Sequence, residues 1–113
     1  MLNKWKEVFA NNRSAAAMLE RSNPKVLSAF RELNAALGAT GTLDAKTREL
    51  IAMAVAVTTR CDGCIASHAA AARRLGATEI ELSEALGVAI ALNAGAAYVY
   101  SLRALDAFSE AGT

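Results

Sequence analysis

Eight consecutive apolar residues, Leu50 to Val57, directly follow a charged segment that contains Arg48 and Glu49. By length and β-branched content the apolar run alone fits a buried strand. Its continuity with the charged segment, and an upstream helix-capping residue at Asp44 or Thr42, favour a helix. A helix that is apolar around its whole circumference must be buried on every side. Other helices or other subunits are therefore expected to surround this one.

The remaining sequence is also helical in character. Hydrophobic residues make up 54% of the chain and aromatic residues 5%, so the apolar content is mainly aliphatic and rich in alanine, the strongest helix former. Pro24 fits the first turn of a helix, and Thr78 with Glu81 matches a capping box. Helices are predicted over residues 4–10, 14–21, 24–37, 44–57, 60–76 and from 78 onward, with a break near Asn93–Gly95. Residues 1–113 should form a single compact all-α domain of about six helices.

Charge and apolar patterning restrict the partners and the compartment. The formal net charge is +1, with acidic and basic residues mixed, so neither nucleic acid nor an anionic membrane is an expected partner. The apolar stretch from Ala85 to Tyr100 is shorter than the roughly 20 residues of a spanning helix. The N-terminal residues do not resemble a secretory signal. A cytoplasmic location is expected, where two cysteines serve redox chemistry, metal binding or packing.

The two cysteines and the one histidine of the chain lie within eight residues, at Cys61, Cys64 and His68. On a helix these positions are separated by three, four and seven residues, so the three side chains share one face. Either cysteine taken alone is often a packing residue. The three residues together on one helix face favour a functional role over a packing role.

A cysteine must become a thiolate before it attacks, and its unperturbed pKa is about 8.5. The free N–H groups at a helix start and a nearby imidazole both favour the thiolate. The second cysteine can then convert a sulfenic acid or mixed disulfide into an internal disulfide. Zinc is an alternative, but Cys61, Cys64 and His68 supply three ligands and a fourth would have to come from a carboxylate such as Glu49.

A longer pattern includes these residues. Lys46-Thr-Arg-Glu-Leu-Ile-Ala52 precedes Cys61-x-x-Cys64-x-x-x-His68, with eleven residues between Glu49 and Cys61. From about Leu43 to Tyr98 the chain resembles the AhpD-like alkylhydroperoxidase and carboxymuconolactone decarboxylase family.

The resemblance implies an all-helical fold, an obligate homo-oligomer that is a trimer or a hexamer, and specific residue roles. Cys64 would attack the peroxide, and Cys61 would resolve the product and exchange with a partner. His68 and Glu49 would form a proton relay through water, in which the glutamate tunes the imidazole and the imidazole takes the thiol proton. Helix-dipole reasoning by itself favours Cys61 as the activated thiol instead.

The function implied is a thiol oxidoreductase that reduces hydroperoxides and is recycled by a dithiol donor, either lipoyl or thioredoxin-like. It would require no metal, flavin or haem. The alternatives are a protein disulfide reductase, a redox-switch oligomer and, less expected, a lactone decarboxylase, because that branch of the family typically lacks the cysteine pair. Related alkylhydroperoxidases have tyrosine where this chain has Gly63, which leaves the substrate and the reductant open.

Overall fold

The computed structural model describes residues 1–112 and shows an all-helical chain, as the sequence predicts. Within these residues there are five helices and no strand. The helices are α1 (Trp5–Ser22), α2 (Pro24–Ala35), α3 (Ala45–Thr59), α4 (Asp62–Arg74) and α5 (Glu79–Ala111).

The predicted starts of α2, α3 and α5 are confirmed. The side chain of Asp44 accepts a hydrogen bond from the Thr47 backbone N–H at 2.7 Å, which satisfies a free donor in the first turn of α3. Thr78 and Glu81 form the capping box of α5, with contacts of 2.9 and 3.1 Å. Pro24 occupies the first turn of α2.

Two predicted breaks are wrong, and residues 1–112 contain five helices where about six were expected. Residues 4–10 and 14–21 belong to one continuous helix, α1. The expected break near Asn93–Gly95 is absent because the Asn93 side chain is satisfied within the helical geometry. Its amide donates to the Ala89 carbonyl at 2.7 Å and to the Thr58 hydroxyl at 3.0 Å. Asn93 therefore joins α5 to α3 instead of interrupting α5.

Helix α3 is the centre of the packing, with α4 against one side and α5 against another. Helix α1 packs on α4, and α2 packs on α1. The most buried hydrophobic side chains are mostly small: Leu27, Met53, Ala56, Ala66, Ala72 and Ala89. Small side chains at these positions let the helix backbones approach closely. The core formed by one chain is correspondingly thin.

Much of the apolar surface remains exposed in the single chain. On α3, Ile51 and Val55 are 49% and 56% exposed, so the helix is not buried on every side by its own chain. A cavity of about 530 Å³ is lined by residues of α3 and α5, with Val88 and Leu92 in its wall. The radius of gyration is 18.6 Å, against about 13 Å for a compact globular domain of this length. The chain thus exposes apolar faces of a kind usually covered by another molecule.

Helix α5 is longer than the sequence suggested. With no break, its 33 residues are sufficient in length and apolar composition to cross a bilayer, and 6% of its most apolar window is buried within the chain. Among residues 1–112 it is the one helix with these properties. A single such helix is weak evidence for a membrane span, since core helices of soluble assemblies share this composition.

Candidate active site

The turn between α3 and α4 places the cysteines at the start of a helix. Arg60 ends α3 in the left-handed conformation, with φ 55° and ψ 48°, which is uncommon for a residue other than glycine. The next backbone N–H, that of Cys61, bonds to the Ala56 carbonyl at 3.1 Å. Helix α4 begins immediately afterwards, so its N-terminal turn packs beside the end of α3.

Cys61 and Cys64 form a disulfide with their Cα atoms 5.2 Å apart. Cys61 is the N-cap of α4, and its Sγ atom accepts the Cys64 backbone N–H at 3.1 Å. A thiolate at Cys61 would receive this N–H bond together with the positive end of the helix dipole. The N-terminal turn of α4 therefore suits a reactive cysteine pair.

Glu49 lies on α3 and His68 on α4, and the two side chains are in direct contact. Glu49 Oε2 is 2.6 Å from His68 Nδ1, with the side chains 23% and 31% exposed. A carboxylate can only accept, so it holds the proton on Nδ1 and leaves the lone pair of the neutral ring on Nε2. The pair is therefore arranged to act as a base through Nε2.

The residues alone did not place Glu49 in the site, because neither its spacing nor simple helix pairing brings it to the cysteines. The structure brings it to the histidine instead. The end of α3 is joined to the start of α4 by a tight turn, so the helices run antiparallel and the first half of α3 lies beside the middle of α4. Glu49 thus reaches the site by way of His68.

Cys64 and His68 line the same cleft, which has a volume of about 480 Å³. Cys61 is not among its lining residues. The other walls come from α3 and from the α2–α3 loop: Leu37, Gly38, Leu43, Arg48, Ile51, Ala52, Val55, Ala56 and Thr59. The cleft is therefore a mainly apolar groove with a sulfur atom and an imidazole in its wall.

Arg48 is a cleft residue that the sequence did not single out. Its guanidinium donates to the Leu43 carbonyl and lies close over Gly38 in the α2–α3 loop. In the sequence Arg48 is one of several charged residues at the start of α3. Only the folded position of the α2–α3 loop identifies it, so no local signal could have found it.

Gly63 lies under the side chain of Asn12 from α1. A Cβ atom at position 63 would collide with the Asn12 amide. A tyrosine at this position, as in related alkylhydroperoxidases, would require that amide to move. The glycine is thus matched to the way α1 packs on the first turn of α4.

The arrangement of the possible metal ligands does not favour a zinc site. Across residues 1–112, no group of three or more histidine, cysteine, aspartate or glutamate side chains has an arrangement that could hold a metal ion. The Glu49 carboxylate, the candidate for a fourth zinc ligand, is bonded to His68.

Fold and site together define a small all-helical protein with a Cys-x-x-Cys pair at a helix start and a carboxylate–imidazole pair beside it. Residues 24–107 match the family model of the carboxymuconolactone decarboxylase family. The chain belongs to this family.

Similar proteins agree with that assignment. A carboxymuconolactone decarboxylase family protein from Legionella pneumophila, solved in its apo form, superposes with a TM-score of 0.75 at 37% identity, covering 95% of this chain and 96% of that one. An uncharacterized protein of Haemophilus influenzae is 54% identical over 109 residues, 96% of each chain. "Uncharacterized protein 4 in cox locus" of Paracoccus denitrificans is 41% identical over 100 residues, 87% of this chain and 90% of that protein. The relatives match essentially the whole chain.

Proposed function

We propose that this protein is a thiol-dependent oxidoreductase that reduces hydroperoxides. The observation that carries the proposal is the 2.6 Å contact between Glu49 and His68, made beside a cleft that His68 lines together with Cys64. Family membership supports an enzymatic role in general. The particular activity is inferred from these side chains.

The first step is formation of a thiolate. Glu49 holds the Nδ1 proton of His68, so Nε2 takes the Cys64 thiol proton, directly or through one water molecule. The developing imidazolium is stabilised by the adjacent carboxylate. The site thereby provides both a nucleophile and a proton for the leaving oxygen.

The redox step then proceeds without a cofactor. The Cys64 thiolate attacks the terminal peroxide oxygen of ROOH, the O–O bond breaks, and the imidazolium proton goes to the departing alkoxide to give ROH. Cys64 is now a sulfenic acid. The Cys61 thiol attacks it, forming the Cys61–Cys64 disulfide and releasing water. An external dithiol reduces that disulfide, so the peroxide is reduced by two electrons that the dithiol supplies.

The two cysteines are assigned by their positions. Cys64 lines the cleft and is the attacking residue, whereas Cys61 lies at the N-cap and is the resolving residue that exchanges with a lipoyl or thioredoxin-like dithiol. The N-cap bond of Cys61 favours its thiolate, which also suits it to leave during exchange with the dithiol. Helix-dipole reasoning and the family roles are therefore compatible.

A redox switch is the second candidate function. Cys61 both forms the disulfide and caps α4. Reduction would therefore change the first turn of α4, which contacts α1 through Gly63 and Asn12. In that case the disulfide would alter the assembly without turnover. A change in oligomer size on reduction, without peroxide consumption, would favour this candidate.

We also propose that the protein is a soluble homo-oligomer, a trimer or a hexamer. The exposed residues of the α3–α5 cavity, including Val88 and Leu92, form an apolar face on one chain. Asn93 lies inside the apolar stretch of α5 and donates to the Thr58 hydroxyl of α3, which joins this helix to the rest of the domain. A second copy is the better match for this face.

Trapping the sulfenic acid tests the proposed roles. Reduced Cys61→Ser protein, mixed with one equivalent of an organic hydroperoxide and then dimedone, should gain a single dimedone adduct on Cys64, located by peptide mass spectrometry. Cys64→Ser is the matched control and should gain no adduct. An adduct on Cys61 of Cys64→Ser, with none on Cys64 of Cys61→Ser, would reverse the assignment.

A further inference from the structure

We propose that Arg48 binds the carboxylate of the substrate, and that the substrates are fatty-acid hydroperoxides whose aliphatic chain lies in the cleft. The inference rests on the proposed function for its chemistry. Its evidence is separate, however, and comes from the charge, position and walls of the cleft.

Arg48 carries a positive charge in the cleft wall that is not paired with a carboxylate in the part of the chain that the structure describes. The other titratable lining residues are His68, which is paired with Glu49, and Cys64. Within residues 1–112, Arg48 belongs to none of the ion pairs. The nearby Asp44 carboxylate is already bonded to the Thr47 N–H, the main cause of its lowered pKa, with Lys46 and Arg48 as smaller causes. An anion entering the cleft would meet a guanidinium without a bonded carboxylate.

The guanidinium is also held in place. It donates to the Leu43 carbonyl, and it lies where a side chain at Gly38 would otherwise be. Gly38 has φ +79°, so the left-handed loop backbone and the guanidinium both require a glycine there. A guanidinium has five N–H donors, and a carboxylate can accept two of them side by side. The loop therefore positions Arg48 and leaves donors for a ligand.

The rest of the cleft suits an aliphatic chain. Leu37 and Leu43 of the α2–α3 loop line it and are 61% and 49% exposed, while Ile51 and Val55 form the side where the cleft adjoins the α3–α5 cavity. Its volume of about 480 Å³ is within the usual range for small-molecule sites. Hydrogen peroxide would leave these walls exposed, whereas an alkyl chain would cover them. A molecule with a carboxylate at one end, an alkyl chain and a hydroperoxide matches Arg48, the walls and Cys64 together.

Such a substrate reacts by the same steps as any other hydroperoxide at this site. Cys64 takes the terminal peroxide oxygen, the fatty-acid hydroperoxide leaves as the hydroxy acid, and Cys61 completes the disulfide with release of water. The carboxylate at Arg48 takes no part in bond breaking. Arg48 is thus a specificity-determining residue.

Ligand binding without turnover tests the inference independently of peroxidase activity. Octanoate and 1-octanol have the same chain length and differ in charge, so their affinities for the oxidised protein can be compared by calorimetry. Wild type should bind octanoate about tenfold more tightly, the effect of one charge-assisted contact. Arg48→Gln should lose this preference and keep its affinity for octanol, while Arg73→Gln, which removes an exposed charge outside the cleft, should behave as wild type.

Two further measurements keep the test decisive if Arg48→Gln does not fold. The preference of wild type for octanoate should weaken as salt concentration rises. In turnover assays, kcat/KM for a fatty-acid hydroperoxide should exceed that for its methyl ester by about tenfold. Equal binding of acid and alcohol by wild type, no binding of either, or an undiminished preference in Arg48→Gln would overturn the inference. A clear preference for octanoate in a protein without peroxidase activity would refute the proposed function alone.

Discussion

His68 Nδ1 and Glu49 Oε2 are 2.6 Å apart although the residues are 19 positions apart in the sequence. The contact depends on the antiparallel arrangement of α3 and α4. It fixes the tautomer of the only histidine in the chain and gives Nε2 the lone pair. The proton transfer assigned to this site therefore depends on both residues acting as a unit.

Replacement of either member of the pair should slow the reaction of Cys64 with peroxide. His68→Gln should lower the second-order rate constant about 10²-fold or more, the usual contribution of a general base. Glu49→Gln keeps a similar shape, but its amide can donate to Nδ1 and move the ring proton to Nε2, so a loss of similar size is expected. Stopped-flow measurement of reduced protein with an organic hydroperoxide gives these constants.

A double variant shows whether Glu49 and His68 act together as a proton relay or contribute independently to the rate. Glu49→Gln/His68→Gln should be no slower than His68→Gln alone, because residues that act as a unit are not additive. Glu79→Gln, an exposed acid in the first turn of α5, is the control and should react as wild type. A wild-type rate in Glu49→Gln would contradict the role given to the carboxylate.

The sequence alone predicted the all-helical class, the start of α3 at Asp44 or Thr42 and the capping box of α5. These features depend on local chemistry: alanine content, short polar caps and a well-placed proline. The break predicted in α1 is absent, and the break predicted in α5 was wrong because a contact between helices bears on it. Asn93 is compatible with a continuous α5 because Thr58, on another helix, accepts its amide hydrogen.

The candidate site, like the fold, was predictable only where it depends on local sequence. Cys61, Cys64 and His68 share a helix, so their common face follows from spacing. Glu49 required the family resemblance, since its contact with His68 crosses between helices. Arg48 was not found at all, because its place in the cleft is set by the α2–α3 loop.

The ion pair between Lys46 and Glu81 should make stability depend on pH. Its atoms are 2.8 Å apart and connect the first turns of α3 and α5. The pKa of Glu81 is lowered, first by the Lys46 side chain and then by the Thr78 backbone. A carboxyl whose pKa is lower in the folded state stabilises the fold above its unfolded pKa, near 4.5, and this contribution is lost as pH falls through the folded value.

Glu81→Gln removes the negative charge of the Lys46–Glu81 ion pair and little else. Glutamine keeps the capping-box hydrogen bond, so the variant should be less stable than wild type at pH 7 and should lose less stability than wild type on acidification below about pH 4.5. Glu81→Ala removes the cap as well and should be the least stable at neutral pH. Urea unfolding at several pH values measures this. Parallel pH profiles for wild type and Glu81→Gln would show that the ion pair does not contribute.

The exposed α3–α5 face should be an interface between copies. Val88 is 58% exposed and lies in the wall of the cavity there. Val88→Arg should therefore dissociate the oligomer while leaving the helical content of each chain largely intact, since an arginine is costly only where the face is covered. Sedimentation velocity and circular dichroism measure the two effects.

Ser83→Arg is the matched control, because Ser83 is an exposed position of the same helix, outside that cavity and on a different face from Val88. It should sediment as wild type. A wild-type protein that sediments only as the 11.8 kDa chain would contradict the proposed assembly.

The most direct test of the central claim is consumption of an organic hydroperoxide with dithiothreitol as reductant, for wild type and Cys64→Ser side by side. The account predicts turnover by wild type and none above background by Cys64→Ser. Equal consumption by the two proteins, or none by wild type, would contradict it.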